Sequence, residues 1–129
     1  MLFRSYVLLR LGRIWGDNEF ERQAAGVFRL IRDAIPRAPS AFGHALCALD
    51  LHLAPPRELA VIGSPEDAIA RAALAGFDPD AVVAFGPSDE VPLLAGKDFV
   101  GGRPAVYVCE RFACQAPVTE PGELLASSV

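Results

Sequence analysis

The chain has 129 residues, 52% of them apolar and 22% charged, a balance that builds a buried core and suits one domain of ordinary size. Residues 1–57 hold eight arginines against five carboxylates, and residues 58–129 hold four basic side chains against eleven acidic ones, so halves of +3 and −7 lie behind the net charge of −4. Neither half carries the dense basic stripe that displaces counterions from phosphates, which excludes nucleic acid as a partner, and no apolar run reaches the ~20 residues of a membrane span.

Val7, Leu8, Leu11, Ile14 and Trp15 recur at spacings of three and four, which predicts a first helix over residues 6–15. Gly16 ends it, and Asp17 is placed to cap a second helix with Phe20, Ala24, Val27, Phe28, Ile31 and Ile35 on one face. So short a connection makes the two helices antiparallel neighbours. Pro36 and Pro39 break the pattern, and a third helix is expected from Ala41 to Leu53. It is apolar nearly all round, with His44, Asp50 and His52 as its only ionisable groups, so it is expected to be enclosed by more helices than this chain supplies. Ala54-Pro55-Pro56 is a linker, and a boundary is placed there between a helical part, residues 1–56, and an α/β part, residues 57–129.

Beyond the linker the hydrophobic period changes. Residues 58–63 and 81–86 read as buried strands, joined by a helix from Pro65 to Ala75 with Ser64 as its cap and Asp67 as the reciprocal partner. Such a unit is parallel by default. Gly101-Gly102 turns the chain into a third strand over residues 105–109, and Pro121 sits in the first turn of a short closing helix. The fold class expected is mixed α/β, with a small, mainly parallel sheet and flanking helices.

Cys109 and Cys114 form the one obvious reactive pair. Arg111 between them would favour a thiolate, but Glu110 opposes ionisation, and the spacing is looser than the Cys-x-x-Cys in which a helix start acidifies one thiol. Two small apolar side chains packing at a strand end is the simpler expectation, and a facile dithiol couple is not expected. Zinc would need a second pair of ligands, for which His44 and Cys47 share a helix face, yet nothing in the sequence brings that face to the strand; no metal or other cofactor is assigned. Gly63-Ser64-Pro65 precedes a helix start, where phosphate often binds, but it has one glycine, no lysine, and Glu66 and Asp67 already at the positive end, so it reads as a plain turn. No nucleophile elbow or paired-carboxylate spacing appears.

The stretch Val91-Pro-Leu-Leu-Ala-Gly-Lys97, the run AVYVCERFACQAPV over residues 105–118 and the closing Pro117-Val-Thr-Glu-Pro-Gly-Glu-Leu124 together resemble the C-terminal end of the YyaL type of thioredoxin-domain-containing proteins, relatives of mammalian spermatogenesis-associated protein 20. The resemblance implies an N-terminal thioredoxin-like domain, absent here, followed by an (α/α)6 toroid similar to those of sugar epimerases and glycosidases. This chain would then hold the last toroid helices and an α/β appendage, and its partner would be the missing N-terminal part of the same protein. In a toroid, His44, His52 and Asp50 on an inner helix become candidates for acid–base work, beside Cys109 and Cys114 for redox chemistry. No complete catalytic constellation is present, so the role implied is structural, within a redox-linked or carbohydrate-type parent whose reaction stays open. Self-association of the isolated piece is expected. The alternative is a self-standing α/β interaction module that docks a partner through its acidic half.

Arg10 and Arg13 interrupt what would be the apolar core of a signal peptide, and an odd number of cysteines does not describe a disulfide-stapled secreted domain, so a reducing cytoplasmic setting is expected. Leu2-Phe3-Arg4-Ser5 matches what a common sequencing adapter encodes, and Met1 is accordingly expected not to be a biological start.

Overall fold

The computed structural model describes residues 2–76 and 78–126. Three helices, α1 (Leu2–Trp15), α2 (Asn18–Ile31) and α3 (Gly43–Leu53), form a layer in which α1 packs on both others. Asp17 caps α2 as expected, its carboxylate accepting the Glu19 N–H at 2.8 Å, and Gly16 at φ 67° makes the corner. Two short 3₁₀ turns, Ile35–Arg37 and Pro39–Phe42, delay the start of α3 to Gly43, because each proline sets the first turn of its own segment.

The stripe that α1 buries matches its apolar spacing only in part. Leu8 and Leu9 lie in a core with Ala24, Phe28, Ala48 and Leu51, whereas Val7 and Trp15 face outward. Leu8 is thus covered within the chain itself. The third helix likewise buries a single stripe, Ala45, Ala48 and Leu51, and leaves Leu46, Cys47, Asp50 and Leu53 exposed, so the described residues do not enclose it.

The second layer is a four-stranded sheet in the order β2-β1-β3-β4, built from β1 (Arg57–Ile62), β2 (Ala81–Gly86), β3 (Ala105–Glu110) and β4 (Ala113–Cys114). The three expected runs do share one sheet, and the class is mixed α/β. Only β1 and β2 pair in parallel, however; β3 runs antiparallel to β1, and β4 antiparallel to β3, so the sheet is mixed rather than mainly parallel. The connection over residues 87–104 returns the chain across the end of β1, where Ile62 pairs with both Gly86 and Ala105. Val100 and Arg103 exchange two backbone hydrogen bonds of 3.0 Å around Gly101 and Gly102, both at positive φ, the geometry that a tight hairpin turn demands of its central residues.

Both faces of the sheet are covered, as continuous apolar strands require. Leu59, Val61 and Val106 pack under α4 (Ala68–Ala75) and α5 (Pro121–Ala126). Ala60, Ile62, Val82 and Cys109 pack under Leu93 and Leu94, against which Ile14 of α1 also rests. α4 begins at Ala68 rather than Pro65, because Asp67 turns its carboxylate back to the Ser64 N–H at 2.7 Å and holds residues 64–67 as a turn. Residues 127–129 of the expected α/β part lie outside the described residues.

The two layers meet along α1, and two arginines make the junction. The Arg13 guanidinium donates to the Leu51 carbonyl at 2.5 Å and to the Asp80 carbonyl at 2.6 Å, and Arg10 donates to the Ala81 carbonyl at 3.3 Å. Leu51 lies in the last turn of α3, whose carbonyls have no intrahelical partner, so Arg13 satisfies a helix end with a cation while it holds the entry to β2. Burial pulls the Arg13 guanidinium below its ordinary range, and the charges of Glu58, Asp80 and Glu21 oppose that shift. Arg13→Met keeps most of the aliphatic bulk and removes both bonds. Since charge-assisted hydrogen bonds contribute about 1.5–3 kcal/mol each and this group is half-exposed, a loss of about 2 kcal/mol is expected in urea unfolding, and an unchanged midpoint would refute the role given to Arg13.

Candidate functional site

The sheet ends in a hairpin whose loop is two residues long. β3 and β4 pair Glu110 with Ala113 and Cys109 with Cys114, which leaves Arg111 and Phe112 at the tip with φ of 49° and 66°. Two central residues at positive φ match the right-handed twist of the strands, but asparagine and glycine normally fill them. An arginine and a phenylalanine there cost about 1 kcal/mol or more apiece.

Three contacts hold the tip in place. The Phe112 N–H donates to Glu58 Oε2 at 3.0 Å. The Phe112 side chain lies over Gly16, where an added Cβ would stand 3.1 Å from the ring, so the corner after α1 needs glycine for its φ and for this approach. The third is covalent. Cys109 and Cys114, cross-strand partners, are joined as a disulfide with their Cα atoms 3.9 Å apart. The expectation that these cysteines merely pack is corrected here: Cys109 does lie in the apolar cluster under Leu93, but its sulfur is bonded to that of Cys114, which is exposed. Register explains it, for a two-residue loop puts residues 109 and 114 directly opposite each other on one face.

Glu58 was not a candidate on sequence grounds and is central here. It stands on β1 directly opposite Cys109 in the register, on the same face as Ala60 and Ile62, and is 1% exposed. A lone carboxylate at the start of an apolar strand was the only available sign of it. Its charge acts on Arg13, and its carboxylate accepts the Phe112 N–H. Between this hairpin, the α1–α2 corner and residues 52–56 lies a cleft of about 860 Å³. Asp17, Glu21, Glu58 and Glu110 line it against Arg13 and Arg111, so both signs of charge are present. His52 reaches the cleft as well, with Nδ1 3.4 Å from Glu21 Oε1 but without hydrogen-bond geometry, and its ring lies against Phe28 at 5.6 Å between centroids. A second groove, of about 680 Å³, runs along the other side of the hairpin past Asp78, Asp80 and Gln115.

The other predicted residues are elsewhere. His44 is exposed on α3, its ring 4.1 Å from that of Phe3, and Asp50 is exposed too, so it is no buried charge in need of a partner. Neither lines the cleft. Cys47 is an exposed free thiol, and among the described residues no three His, Cys, Asp or Glu side chains gather as metal ligands. The Gly63–Asp67 loop offers no anion seat: Asp67 takes the Ser64 N–H, and the Ser64 hydroxyl bonds Glu66, which holds that carboxyl below its usual range. Chemically, the cleft brings together a buried carboxylate and two arginines, beside a hairpin tip whose strands the disulfide joins, without a nucleophile–base pair. No protein-family model matches the chain, and no curated protein or solved structure matches it either.

The seat of Phe112 has a direct test in Gly16→Ala. A Cβ at positive φ and in contact with the ring should lower stability by about 1–2 kcal/mol and raise the exchange rate of the Phe112 amide. Unfolding midpoint and amide exchange measured together decide it, and a neutral substitution would mean that the hairpin tip does not rest on this corner.

Proposed function

We propose that this chain is the C-terminal structural part of a thioredoxin-domain-containing protein of the kind its closing motifs resemble, with α1–α3 as the last helices of a toroid and the sheet with α4 and α5 as an appendage that buttresses them. The observation that carries the reading is the number of large apolar side chains that the three helices leave exposed. Leu30 is 84% exposed, Leu53 74% and Phe3 66%, and Val7, Trp15 and Leu46 are open as well. Single exposed apolar residues are ordinary, but so many large ones on three short helices are the mark of a surface that packs on something. In a toroid the preceding helices would cover it. Trp15 and Leu46 are among these exposed residues, whereas Leu8 is internal and Leu49 packs against the inner core.

The appendage fits a buttressing role, since Arg10 and Arg13 fasten it to α1 through main-chain carbonyls, and main-chain contacts fix position without asking for a particular side chain. Reaction and substrate belong to the parent, of redox-linked or carbohydrate type. The chain is read as cytoplasmic; among the described residues no helix is long and apolar enough to cross a membrane. In a reducing compartment a disulfide such as Cys109–Cys114 is one that the thiol pool can address.

At tens of micromolar, roughly the range in which exposed apolar surface drives association, the chain alone is expected to scatter light as a self-associating species and to bind a hydrophobic dye. A longer version with further toroid helices should suppress both. A monodisperse, dye-silent monomer would instead favour a self-standing module whose acidic half docks a partner.

A further inference from the structure

The hairpin that carries Cys109 and Cys114 combines accessibility on one side with stored backbone strain on the other. Cys114 is exposed on a strand of only two residues, while Cys109 is 2% exposed beneath Leu93 and Leu94, so an incoming thiolate reaches one sulfur and not the other. The bond spans a sequence separation of five, and a loop so short constrains the unfolded chain least; what it fixes is the hairpin. Within that hairpin Arg111 and Phe112 sit at positive φ, a conformation that their side chains disfavour and that persists only where the surroundings impose it. Apart from the disulfide, few things impose it: the Glu58 bond to the Phe112 N–H, the ring against Gly16, and the Gln115 N–H to the Val108 carbonyl at 2.9 Å.

We propose that the Cys109–Cys114 disulfide is a thiol-reversible latch on the cleft: a dithiol reductant opens it, the turn relaxes, Phe112 leaves Gly16, and the Glu58 carboxylate is uncovered. The exposed sulfur and the strained turn are what the cysteine spacing alone did not disclose. The first thiolate of the reductant attacks Cys114 Sγ, forming a mixed disulfide and breaking the Sγ–Sγ bond. Cys109 leaves with the electron pair and takes a proton from solvent. The second thiolate of the reductant then attacks its own sulfur in the mixed disulfide and releases Cys114, which is protonated in turn. Two electrons and two protons have passed to the protein, and the reductant leaves as its own disulfide. Reoxidation by an oxidised dithiol runs the same steps backward. The proposal requires only the hairpin and holds whether or not the chain belongs to a toroid protein.

The test is amide exchange of the chain carrying Cys47→Ser, which leaves one cysteine couple, equilibrated in graded mixtures of reduced and oxidised dithiothreitol. On reduction two thiols should become titratable, and the Phe112 amide, the one that Glu58 holds, should exchange at least about tenfold faster, as expected when a local opening replaces a closed turn. The Val61 and Ile62 amides at the centre of β1 should keep their rates, and oxidised dithiothreitol should restore the slow state. Cys109→Ser with Cys114→Ser on the same background should show the fast Phe112 rate at every dithiothreitol ratio, and Arg111→Gly, which relieves part of the strain, should narrow the gap between the two states. Should the double serine variant fail to fold, the reduced Cys47→Ser chain decides alone. Equal Phe112 rates in both states, equal acceleration at Val61 and Ile62, or sulfurs that reduced dithiothreitol does not reach in the folded chain would each overturn the latch.

Discussion

Everything in this molecule depends on how α1 is fastened to the sheet, and Arg13 does most of the fastening. A guanidinium brought half out of water loses hydration, and here it regains bonds from two carbonyls that need a donor, one at the end of α3 and one at the start of β2. Helix end, strand entry and central helix are thereby fixed to one rigid fork. The carboxylates of Glu58, Asp80 and Glu21 supply the opposing charge that keeps this burial tolerable. Arg10 repeats the arrangement one turn earlier, and the Leu93 N–H to Ile14 carbonyl bond at 3.2 Å closes the far end.

With α1 so placed, the hairpin follows. The last turn of α1 delivers Gly16 to the spot where Phe112 needs a surface without a side chain, and Glu58, on the strand beneath, meets the Phe112 N–H from the other side. A two-residue loop of poor turn formers would not hold by itself. It is over-determined by one ring contact, one buried carboxylate and one disulfide, each contributed by a different part of the chain. Of these the disulfide alone is open to thiol exchange with a reductant from outside the protein.

The strands were legible because a run buried on both faces is apolar throughout: residues 81–86 come out as read, the first run moves by one residue to 57–62, and the third extends by one to Glu110. The direction of β3 was not legible, since a connection over residues 87–104 reaches either end of a strand, and it is the burial of Leu93 and Leu94 over the sheet that settles its path. α1 misled because Leu8 and Leu9 are adjacent; the spacing admits two stripes, and only contact with Phe28 and Leu51 selects the one containing Leu9. The site was the least legible part. Cysteines five apart imply a cross-strand pair only if the loop between has two residues, and Arg-Phe is a combination that turn chemistry argues against. Glu58 gave no sign beyond being charged, because its importance lies in what stands opposite it.

The central claim, that α1 welds the helical layer to the sheet so that the chain opens as one unit, is tested most directly by native-state hydrogen exchange in rising urea on the oxidised chain. The amides of Leu8, Leu9 and Leu51 in the helices and of Ala60, Val61 and Ile62 in β1 should merge onto a single opening isotherm, with one free energy and one urea dependence, as expected of a cooperative domain. Two separate isotherms, the helical amides opening with a smaller urea dependence while β1 stays closed, would contradict it and would make Arg13 a local cap on α3 instead of the junction between layers.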